Sequence, residues 1–595
     1  MSKTEPAPLR SWKLRPECEL PEQDAVLERL GRETGLSKVT LRVCLSRGLK
    51  DAASIQDFVS PKLELLKDPS CILDMDRGVE RLCQARASSE LVWVFGDYDV
   101  DGTTGAALLS WILRDFGYQH QVRQPDRFKD GYGLNVKAVE EAHQAGAQVL
   151  VTVDCGITSF EAASRAKELG IDLIIVDHHQ VDVVKGLPIA FAVINPQRAD
   201  CTSELKQLCG CGLAFYLARA LRTAGKKLGW WENGKEPNLK QHLDLVVMAT
   251  AADMVPLLGD NHIMVRHGLQ ILKQTKKPGV RALLEQAGLG SKDVSPGHLG
   301  FVLGPRINAS GRMASASLAL ELLTTQDQGR AATLAHELEK MNQERAEIQN
   351  RIWDQVRTRV EEGLAQGKFK HGILVADAAW HEGVVGIVAS RVTETFRKPA
   401  AVIALREDFG KGSVRSYGGK DVLGALRASK EHLLGFGGHK HAAGLSVGLE
   451  NIEALALSFD EALGAMVQDE DLLPLYIEGK CSLDELDVRT LQELEGLGPF
   501  GPGNPEPVFT IRAAATRTQI LKGRHFKLNL ENVENIQKNR GRIEAIWFHA
   551  AERVELSGSS VLEEIAEWAG VPELNRFRGS ITPTFRIKDR RALSH

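Results

Sequence analysis

The chain has 595 residues, 43% of them hydrophobic, and a formal net charge of −4, a composition typical of a soluble globular protein with several domains. No apolar run approaches the ~20 residues of a membrane helix, the first residues lack the apolar core of a signal peptide, and the nine cysteines lack the paired spacing of a zinc site. We therefore expect a cytoplasmic protein with reduced thiols and no membrane contact, in which any contact with nucleic acid depends on local patches.

Alternating strands and helices are predicted in the first half of the chain. Residues 1–60 are expected to form short helices. Helical stretches then separate four apolar runs, which are LVWVFGD at residue 91, QVLVTVDCG at 148, IDLIIVDHH at 171 and AFAVINP at 190. Continuous apolar strands that alternate with helices predict an α/β fold with a parallel sheet covered on both faces.

The second half is predicted to contain a long helix, a second α/β unit and a β-rich end. Residues 328–362 lack proline, and their apolar residues recur at helical spacing, so we expect one long helix that connects two lobes. A smaller α/β unit follows at 368–465. From about residue 470, short strands predict a small barrel or sandwich, preceded by a turn-rich loop or linker at 495–507.

Acidic residues and histidines follow three of the predicted strands. Because the carboxyl ends of parallel strands share one edge of a sheet, these side chains are expected to converge: Asp97, Asp99, Asp101, Asp154, Asp177, His178 and His179. Asp253, at the end of an apolar helical run, is a further candidate. Such a set suits Mn²⁺ or Mg²⁺, and two ions would stabilise a displacement at phosphorus. For any single residue, the alternative is a helix N-cap or an ordinary surface or core histidine.

The order of these motifs resembles a known superfamily. GDYDVDGTTG, VDCG, VDHH and AADMVPL resemble the successive motifs of the DHH phosphoesterase superfamily. Further segments resemble its single-strand-specific 5′→3′ exodeoxyribonucleases: RFKDGYGLN (127–135), LGPRINASGRM (303–313), WHEGVVGIVASR (380–391), GSVRS (412–416) and GFGGHKHAAG (435–444). The resemblance extends from about residue 45 to the C-terminus.

The resemblance implies a catalytic set and its metal ligands. It assigns metal ligation to Asp99, Asp101, Asp154, His178 and Asp253, with Asp154 bridging two ions. Asp177 and His179 are expected to hold the ligands or the scissile phosphate, and Asp97 completes the catalytic set. Phe95 stands where many members carry a metal-binding histidine, so one ion is expected to be held more weakly.

Phosphate-binding residues are expected in four further segments. Arginine forks and backbone amides suit phosphate, and the candidates are Arg127, Tyr132, Arg306, Asn308, Arg312, Ser413, Arg415, Gly438 and His439. We expect GPRINASGR to be a phosphate-binding loop, with a plain turn as the alternative. Gly437, Gly438 and His439 are expected to form an anion-binding nest that opens a helix, whereas His441 is expected to be buried.

The resemblance also implies a domain organisation and an activity. The segments are an N-terminal helical segment (1–60), a DHH catalytic domain (61–312), a connecting helix region (313–364), a DHHA1-type substrate-binding domain (365–468) and a nucleic-acid-binding barrel like the oligonucleotide-binding (OB) fold (469–595). The implied activity is metal-dependent hydrolysis of single-stranded DNA from its 5′ end to 5′-mononucleotides, in recombination and repair. A single-strand-binding protein and a DNA helicase are implied partners, and a monomer is expected.

Two alternative functions share parts of this pattern. A DHH phosphodiesterase of short RNA oligomers or cyclic dinucleotides would share the metal motifs, but such chains are generally shorter and lack the terminal barrel. A non-catalytic DNA-binding scaffold would have lost catalytic ligands, whereas the carboxylates and histidines are present here. We therefore favour the nuclease.

Overall fold

The computed structural model describes residues 11–15, 23–126, 130–131, 133–232, 234–313, 316–466, 474–532, 541–550 and 565–593. Arg127 and Tyr132 lie outside these ranges, so their phosphate-binding roles stay predictions. Every helix within the ranges is too short or too polar to cross a lipid bilayer.

The described part of the N-terminal segment contains one short strand and three helices: β1 (Trp12–Leu14), α1 (Gln23–Thr34), α2 (Lys38–Ser46) and α3 (Ala52–Val59). Side-chain oxygens begin two of them, because Ser37 accepts a hydrogen bond from the Thr40 amide and Asp51 accepts one from the Ser54 amide. The predicted short helices are confirmed for the described part of residues 1–60.

The first α/β domain is built on a five-stranded sheet. Its elements are α4 (Met75–Ala87), β2 (Leu91–Gly96), α5 (Val100–Asp115), β3 (Gln119–Arg123), α6 (Val136–Gln144), β4 (Ala147–Val153), α7 (Phe160–Glu168), β5 (Asp172–Val176), β6 (Ala192–Ile194) and α8 (Gly210–Lys227). The order β3-β2-β4-β5-β6 is parallel throughout, which confirms the predicted sheet. β3 was not predicted, because its residues QHQVR are mostly polar and not fully buried.

Helices bury both faces of this sheet. In β2, Val92 and Val94 face a core shared with α5 and α8, whereas Trp93 and Phe95 face the core of α6 and α7. This alternation is that of a strand with two buried faces. The carboxyl ends of β2, β4 and β5 lie side by side, and the side chains that follow them can meet.

Six further helices complete the first domain: α9 (Leu243–Ala252), α10 (Gly259–Lys273), α11 (Pro278–Gln286), α12 (Pro296–His298), α13 (Gly304–Met313) and α14 (Ser317–Thr324). The next helix, α15 (Gln328–Ala365), has 38 residues and is therefore about 57 Å long. Leu334 and Leu338 of α15 pack in the first domain, and Ile352 and Val356 pack against the following strands. The predicted connecting helix is confirmed.

The second α/β domain contains β7 (Ile373–Asp377), α16 (Glu382–Phe396), β8 (Ala400–Leu405), β9 (Phe409–Arg415), α17 (Val422–Ala428), β10 (Gly435–His439), β11 (Ala442–Gly448) and α18 (Ile452–Gly464). Its strand order is β10-β11-β9-β8-β7. The segment GFGGHKHAAG forms the antiparallel hairpin β10–β11, so the predicted nest that opens a helix is wrong. The backbone groups of these glycines instead pair across the hairpin.

The C-terminal region forms a closed β-barrel. Its elements are β12 (Leu475–Ile477), β13 (Gly479–Lys480), α19 (Val488–Gly496), β14 (Phe509–Leu521), β15 (His525–Glu531), β16 (Arg542–Trp547), β17 (Ile565–Phe577) and β18 (Ser580–Ala592). The order is β13-β14-β15-β16-β18-β17, and pairing of β14 with β17 closes it. Leu27, Leu30 and Leu41 of the N-terminal helices share its core with Phe509 and Trp568, so the two ends of the chain pack together.

Candidate metal centre and phosphate-binding pocket

The turn after β2 carries three aspartates into the first turn of α5. Asp99 is the N-cap of α5, and its Oδ1 accepts a hydrogen bond from the Gly102 amide at 3.1 Å. A Cβ at Gly102 would lie 2.5 Å from the Asp97 amide nitrogen, so the helix begins directly against the end of the strand. The N-cap alternative is correct for Asp99, and it uses one carboxylate oxygen of two.

The N-terminus of another helix fixes Asp101. Its carboxylate accepts hydrogen bonds from the amides of Gly210 and Cys211 in α8, at 2.6 and 2.8 Å. Burial raises the pKa of the Asp101 carboxyl, although the nearby His178 lowers it in part. A Cβ at Gly210 would lie 2.6 Å from the Asp154 Cβ, so this helix end packs directly on the residue that follows β4.

One imidazole nitrogen faces three carboxylates from separate elements. Asp154 has a φ of +62°, a conformation that is costly for a residue with a Cβ and that clusters at functional sites. His178 Nε2 lies 3.1 Å from Asp154 Oδ1, 3.7 Å from Asp101 Oδ2 and 3.8 Å from Asp253 Oδ2. The predicted convergence of these four residues is present in the structure.

Asp177 and His179 form a pair beside this cluster. Asp177 Oδ1 lies 2.7 Å from His179 Nδ1, and Asp177 Oδ2 accepts a hydrogen bond from the Ile157 amide at 3.0 Å. Burial opposes the charged form of both groups, but the contact between them holds the pKa of the Asp177 carboxyl below its usual value and raises the pKa of His179 to about 9. This geometry supports the predicted role of Asp177 in orienting a neighbour.

The donor atoms fit divalent cations. Three groups each bring three ligand atoms within 4.8 Å of one another: Asp97, Asp99 and Asp154; Asp101, His178 and Asp253; and Asp154, His178 and His179. Asp97 Oδ1 is buried and has no hydrogen-bond partner among the described residues. Phe95, in contrast, is only 2% exposed within the apolar core and supplies no ligand; the weaker binding of one ion stays a prediction.

The ionisation of this cluster also requires a counter-charge. Burial, followed by the charge of Asp99, raises the pKa of Asp97 to about 8, and burial, followed by the charge of Asp101, raises the pKa of Asp253 to about 8. A bound cation favours the charged form of such carboxyls. Oxygen and imidazole donors together have the chemistry of a Mn²⁺ or Mg²⁺ site.

A second site lies on the sheet of the second α/β domain. A cavity of about 620 Å³ is lined by residues that include Arg312, Lys411, Ser413, Arg415 and Gly438. Arg415 Nη1 donates to Ser413 Oγ at 2.7 Å, and Arg312 Nη1 donates to the Gly383 carbonyl at 3.0 Å. Four of the predicted phosphate-binding residues therefore meet at one pocket. The sequence analysis missed Lys411, although Lys411, Ser413 and Arg415 alternate along β9 and so face the same side.

Glycines form part of the floor of this pocket. A Cβ at Gly435 or Gly437 would meet no atom within 4 Å, and one at Gly444 would meet only the Gly412 carbonyl oxygen at 3.9 Å. Packing therefore does not require glycine at these positions. Glycine weakens a strand and often marks close approach of a ligand, so this floor is shaped for close contact with a bound molecule.

Several predicted phosphate contacts have other surroundings. GPRINASGR is the helix α13, so the predicted loop is wrong: burial of Ile307 and Ala309 favours the helix over a turn. Arg306 Nε donates to Glu339 Oε2 at 2.6 Å, which ties α13 to α15, and Asn308 is half-buried. His439 is exposed at the end of β10, and His441 is exposed rather than buried.

Helix α13 joins the two sites. A Cβ at Gly311 would lie 3.4 Å from the Tyr98 carbonyl oxygen, so α13 packs on the turn that carries Asp97 and Asp99. The next residue, Arg312, lines the pocket of the second domain. Consecutive residues thus contact the turn that carries Asp97 and Asp99 and line the pocket of the second domain.

Known protein families match the two α/β domains and the terminal barrel. Models of the DHH family N-terminal domain, the DHHA1 domain and the RecJ OB domain match residues 91–250, 370–465 and 477–589. The fold and the acidic site therefore define a DHH-family phosphoesterase with a terminal OB domain.

The relatives narrow this class further. The single-stranded-DNA-specific exonuclease RecJ of Bacillus subtilis is 32% identical over 585 residues, which cover 97% of this chain and 71% of the relative. That of Escherichia coli is 36% identical over 504 residues, covering 83% and 86%. The crystal structure of RecJ in complex with Mn²⁺ from Thermus thermophilus matches with a TM-score of 0.80 at 26% identity, covering 98% of this chain and 80% of that one. The chain belongs to the RecJ family of single-stranded-DNA-specific exonucleases.

Proposed function

We propose that the chain uses divalent cations to degrade single-stranded DNA from its 5′ end, releasing 5′-mononucleotides, in DNA recombination and repair. The observation that carries the direction and the product is the contact of Gly311 and Arg312 with the two sites. A terminal 5′-phosphate in the cationic pocket would place a nearby phosphodiester at the acidic cluster. The products would then be short, because α13 fixes the distance between the two sites.

The cations are held by Asp99, Asp101, Asp154, His178 and Asp253. We infer two ions, because the ligand atoms of Asp97, Asp99 and Asp154 form one group and those of Asp101, His178 and Asp253 form another. Cations bound there would polarise a phosphoryl oxygen and lower the pKa of a bound water. Asp97 contributes its unpaired buried oxygen to the same ligand set.

The pair of Asp177 and His179 supplies a positive charge beside the reacting phosphate. Asp177 Oδ1 accepts the Nδ1 proton of His179, whose side chain is 45% exposed. In the metal-free chain, the contact with Asp177 raises the pKa of His179 to about 9 although burial opposes the charged form, and this contact favours a charged imidazole. Its Nε2–H can donate to a phosphate oxygen and stabilise the charge that develops as the bond breaks.

The connecting helix and the barrel account for the form of the substrate. α15 packs in both α/β domains, and we infer that it holds them at a separation that admits one strand and excludes a duplex. We further infer that the barrel binds the strand, that a single-strand-binding protein and a helicase act with the enzyme, and that the enzyme is a cytoplasmic monomer. These inferences rest on the family.

The test follows release of nucleotides from single-stranded DNA with a 5′-phosphate, labelled at either end, with Mn²⁺ or with EDTA. We expect mononucleotides from the 5′ end only, with Mn²⁺ only, and not from a blunt duplex. Asp154→Ala should abolish release, whereas Glu232→Gln, at a side chain that is 76% exposed, should retain it. Cleavage of dinucleotides alone would favour an oligonucleotide phosphodiesterase, and no cleavage by the wild type would favour a scaffold.

A further inference from the structure

Gln124 lies at the carboxyl end of β3, beside the metal-binding turn. β3 pairs with β2 in the register that places Arg123 opposite Phe95, so the residues that follow the two strands are neighbours. Gln124 Nε2 lies 2.6 Å from the Asp97 carbonyl oxygen and 2.7 Å from Thr103 Oγ1. One amide group thereby joins both ends of the segment that carries Asp99 and Asp101.

The orientation of this amide follows from its partners. A carbonyl oxygen only accepts hydrogen bonds, so Nε2 must face Asp97 and Oε1 must face away. Gln124 Oε1 is buried and has no hydrogen-bond partner among the described residues. A buried, unpaired acceptor is costly, and a side chain that served stability alone would be expected to satisfy both ends of its amide. Among the described residues, Gln124 holds the turn with its donor group alone.

The contacts of Gln124 restrain the backbone of the turn and do not neutralise its negative charge. Three carboxylates within five residues repel one another, and the repulsion opposes the conformation in which they share a cation. Gln124 contacts a carbonyl and a hydroxyl group, not the carboxylates. It therefore constrains the segment between Asp97 and Thr103 and leaves the negative charge available to a metal ion.

We propose that Gln124 is a positioning residue for the metal site, which fixes the Asp97–Thr103 segment in the shape in which Asp99 and Asp101 bind the cation. The proposal rests on the metal site of the proposed function and extends it to a residue outside the ligand set. Loss of a residue that orients metal ligands typically lowers metal affinity about 10- to 100-fold.

The experiment measures the Mn²⁺ dissociation constant of the full chain by titration calorimetry, together with the melting temperature in EDTA. Gln124→Met keeps the length of the side chain and removes its polar atoms, and Gln124→Glu keeps its shape but replaces the donor. We expect both variants to raise the dissociation constant about tenfold or more. The added charge of Gln124→Glu would by itself tighten cation binding. Weaker Mn²⁺ binding by this variant would therefore show that the metal ligands have lost their position. Gln119→Met, at an exposed position of β3, should bind Mn²⁺ as the wild type does.

The outcomes separate this proposal from the one on which it rests. A dissociation constant that stays within twofold of the wild type in folded Gln124→Met and Gln124→Glu overturns the role of Gln124, even if the melting temperature falls. A wild-type chain that binds no Mn²⁺ overturns the metal site itself. If Gln124→Met does not fold, Thr103→Val removes one of the two acceptors; a smaller rise in the dissociation constant is then expected, and no rise overturns the proposal.

Discussion

The two sites joined by α13 have opposite charge. The edge of the first sheet brings carboxylates together with two histidines as their only basic neighbours in the described ligand groups, whereas Arg312, Lys411 and Arg415 line the pocket of the second sheet. The first arrangement favours a cation and the second an anion. A phosphodiester chain with a terminal phosphate satisfies both, through metal ions at one phosphate and arginine forks at another. The proposed substrate would therefore be held by two contacts of different chemistry.

The largest effect on activity is expected from Asp253→Asn at the acidic site. The loss of one metal ligand should lower the rate constant for DNA hydrolysis about 10³-fold, since metal ions supply several kcal/mol of transition-state stabilisation. The melting temperature in EDTA should stay equal or rise, because burial and the charge of Asp101 make the ionised Asp253 carboxyl unfavourable in the folded state. Single-turnover kinetics and thermal unfolding measure the two effects.

The matched control is Asp293→Asn, because the Asp293 side chain is 92% exposed and pairs only with Lys273 among the described residues. This variant should keep wild-type kinetics. If Asp253→Asn retained more than about a tenth of the wild-type rate, Asp253 would not be a metal ligand. The acidic site would then have fewer metal ligands than proposed.

At the cationic site, Arg415→Gln should act on substrate affinity rather than on chemistry. Loss of a charge-assisted hydrogen bond costs about 1.5–3 kcal/mol, so KM for 5′-phosphorylated DNA should rise roughly 10- to 100-fold with a smaller change in kcat. KM for DNA with a 5′-hydroxyl should change little. Arg427→Gln, an exposed position of the same domain, serves as the control. An equal loss on both substrates would contradict a role in binding the terminal phosphate.

The acidic site could be predicted from the sequence far better than the cationic one. Each of its residues follows a strongly apolar strand or helix, and parallel strands must bring Asp101, Asp154 and His178 to one edge. The cationic pocket depends on which residues of an antiparallel sheet face the same side, and Lys411 was missed. Glycines misled the prediction twice, because GPRINASGR became a helix and GFGGHKHAAG a hairpin through tertiary packing that local turn preference does not contain.

The C-terminal barrel shows the same limit of prediction from sequence. A small barrel or sandwich was predicted from short strands after about residue 470, whereas the packing of α1 and α2 on the barrel has no signature in sequence. Contacts between residues this far apart depend on shape, which a pattern of apolar residues does not encode. The boundaries of the five predicted segments stay predictions.

The pH dependence of the metal-free protein provides a test of the acidic site as a whole. Because the folded pKa of Asp97 and Asp253 is about 8 against ~3.9 when unfolded, the folded state binds protons that the unfolded state has lost, and stability falls as pH rises towards 8. His179, raised to about 9, acts in the same direction above its unfolded value. In EDTA the melting temperature should therefore fall between about pH 6 and pH 9, and Mn²⁺ should reduce the fall. A melting temperature that rises in EDTA would contradict this charge distribution.

The smallest effect is expected at the helix between the two sites. Arg306 was predicted to bind phosphate, but it pairs with Glu339 at 2.6 Å, with both side chains about 15% exposed or less. If its role is to fasten α13 to α15, Arg306→Gln and Glu339→Gln should each destabilise the protein by roughly 1–3 kcal/mol and leave KM for DNA unchanged. If Arg306 instead contacts the strand, only Arg306→Gln should raise KM, while Glu339→Gln, which releases the guanidinium, should lower it. Urea unfolding and steady-state kinetics on the two variants distinguish a structural ion pair from a third phosphate contact. The result decides whether the cationic surface ends at Arg312 or extends along α13 to Arg306.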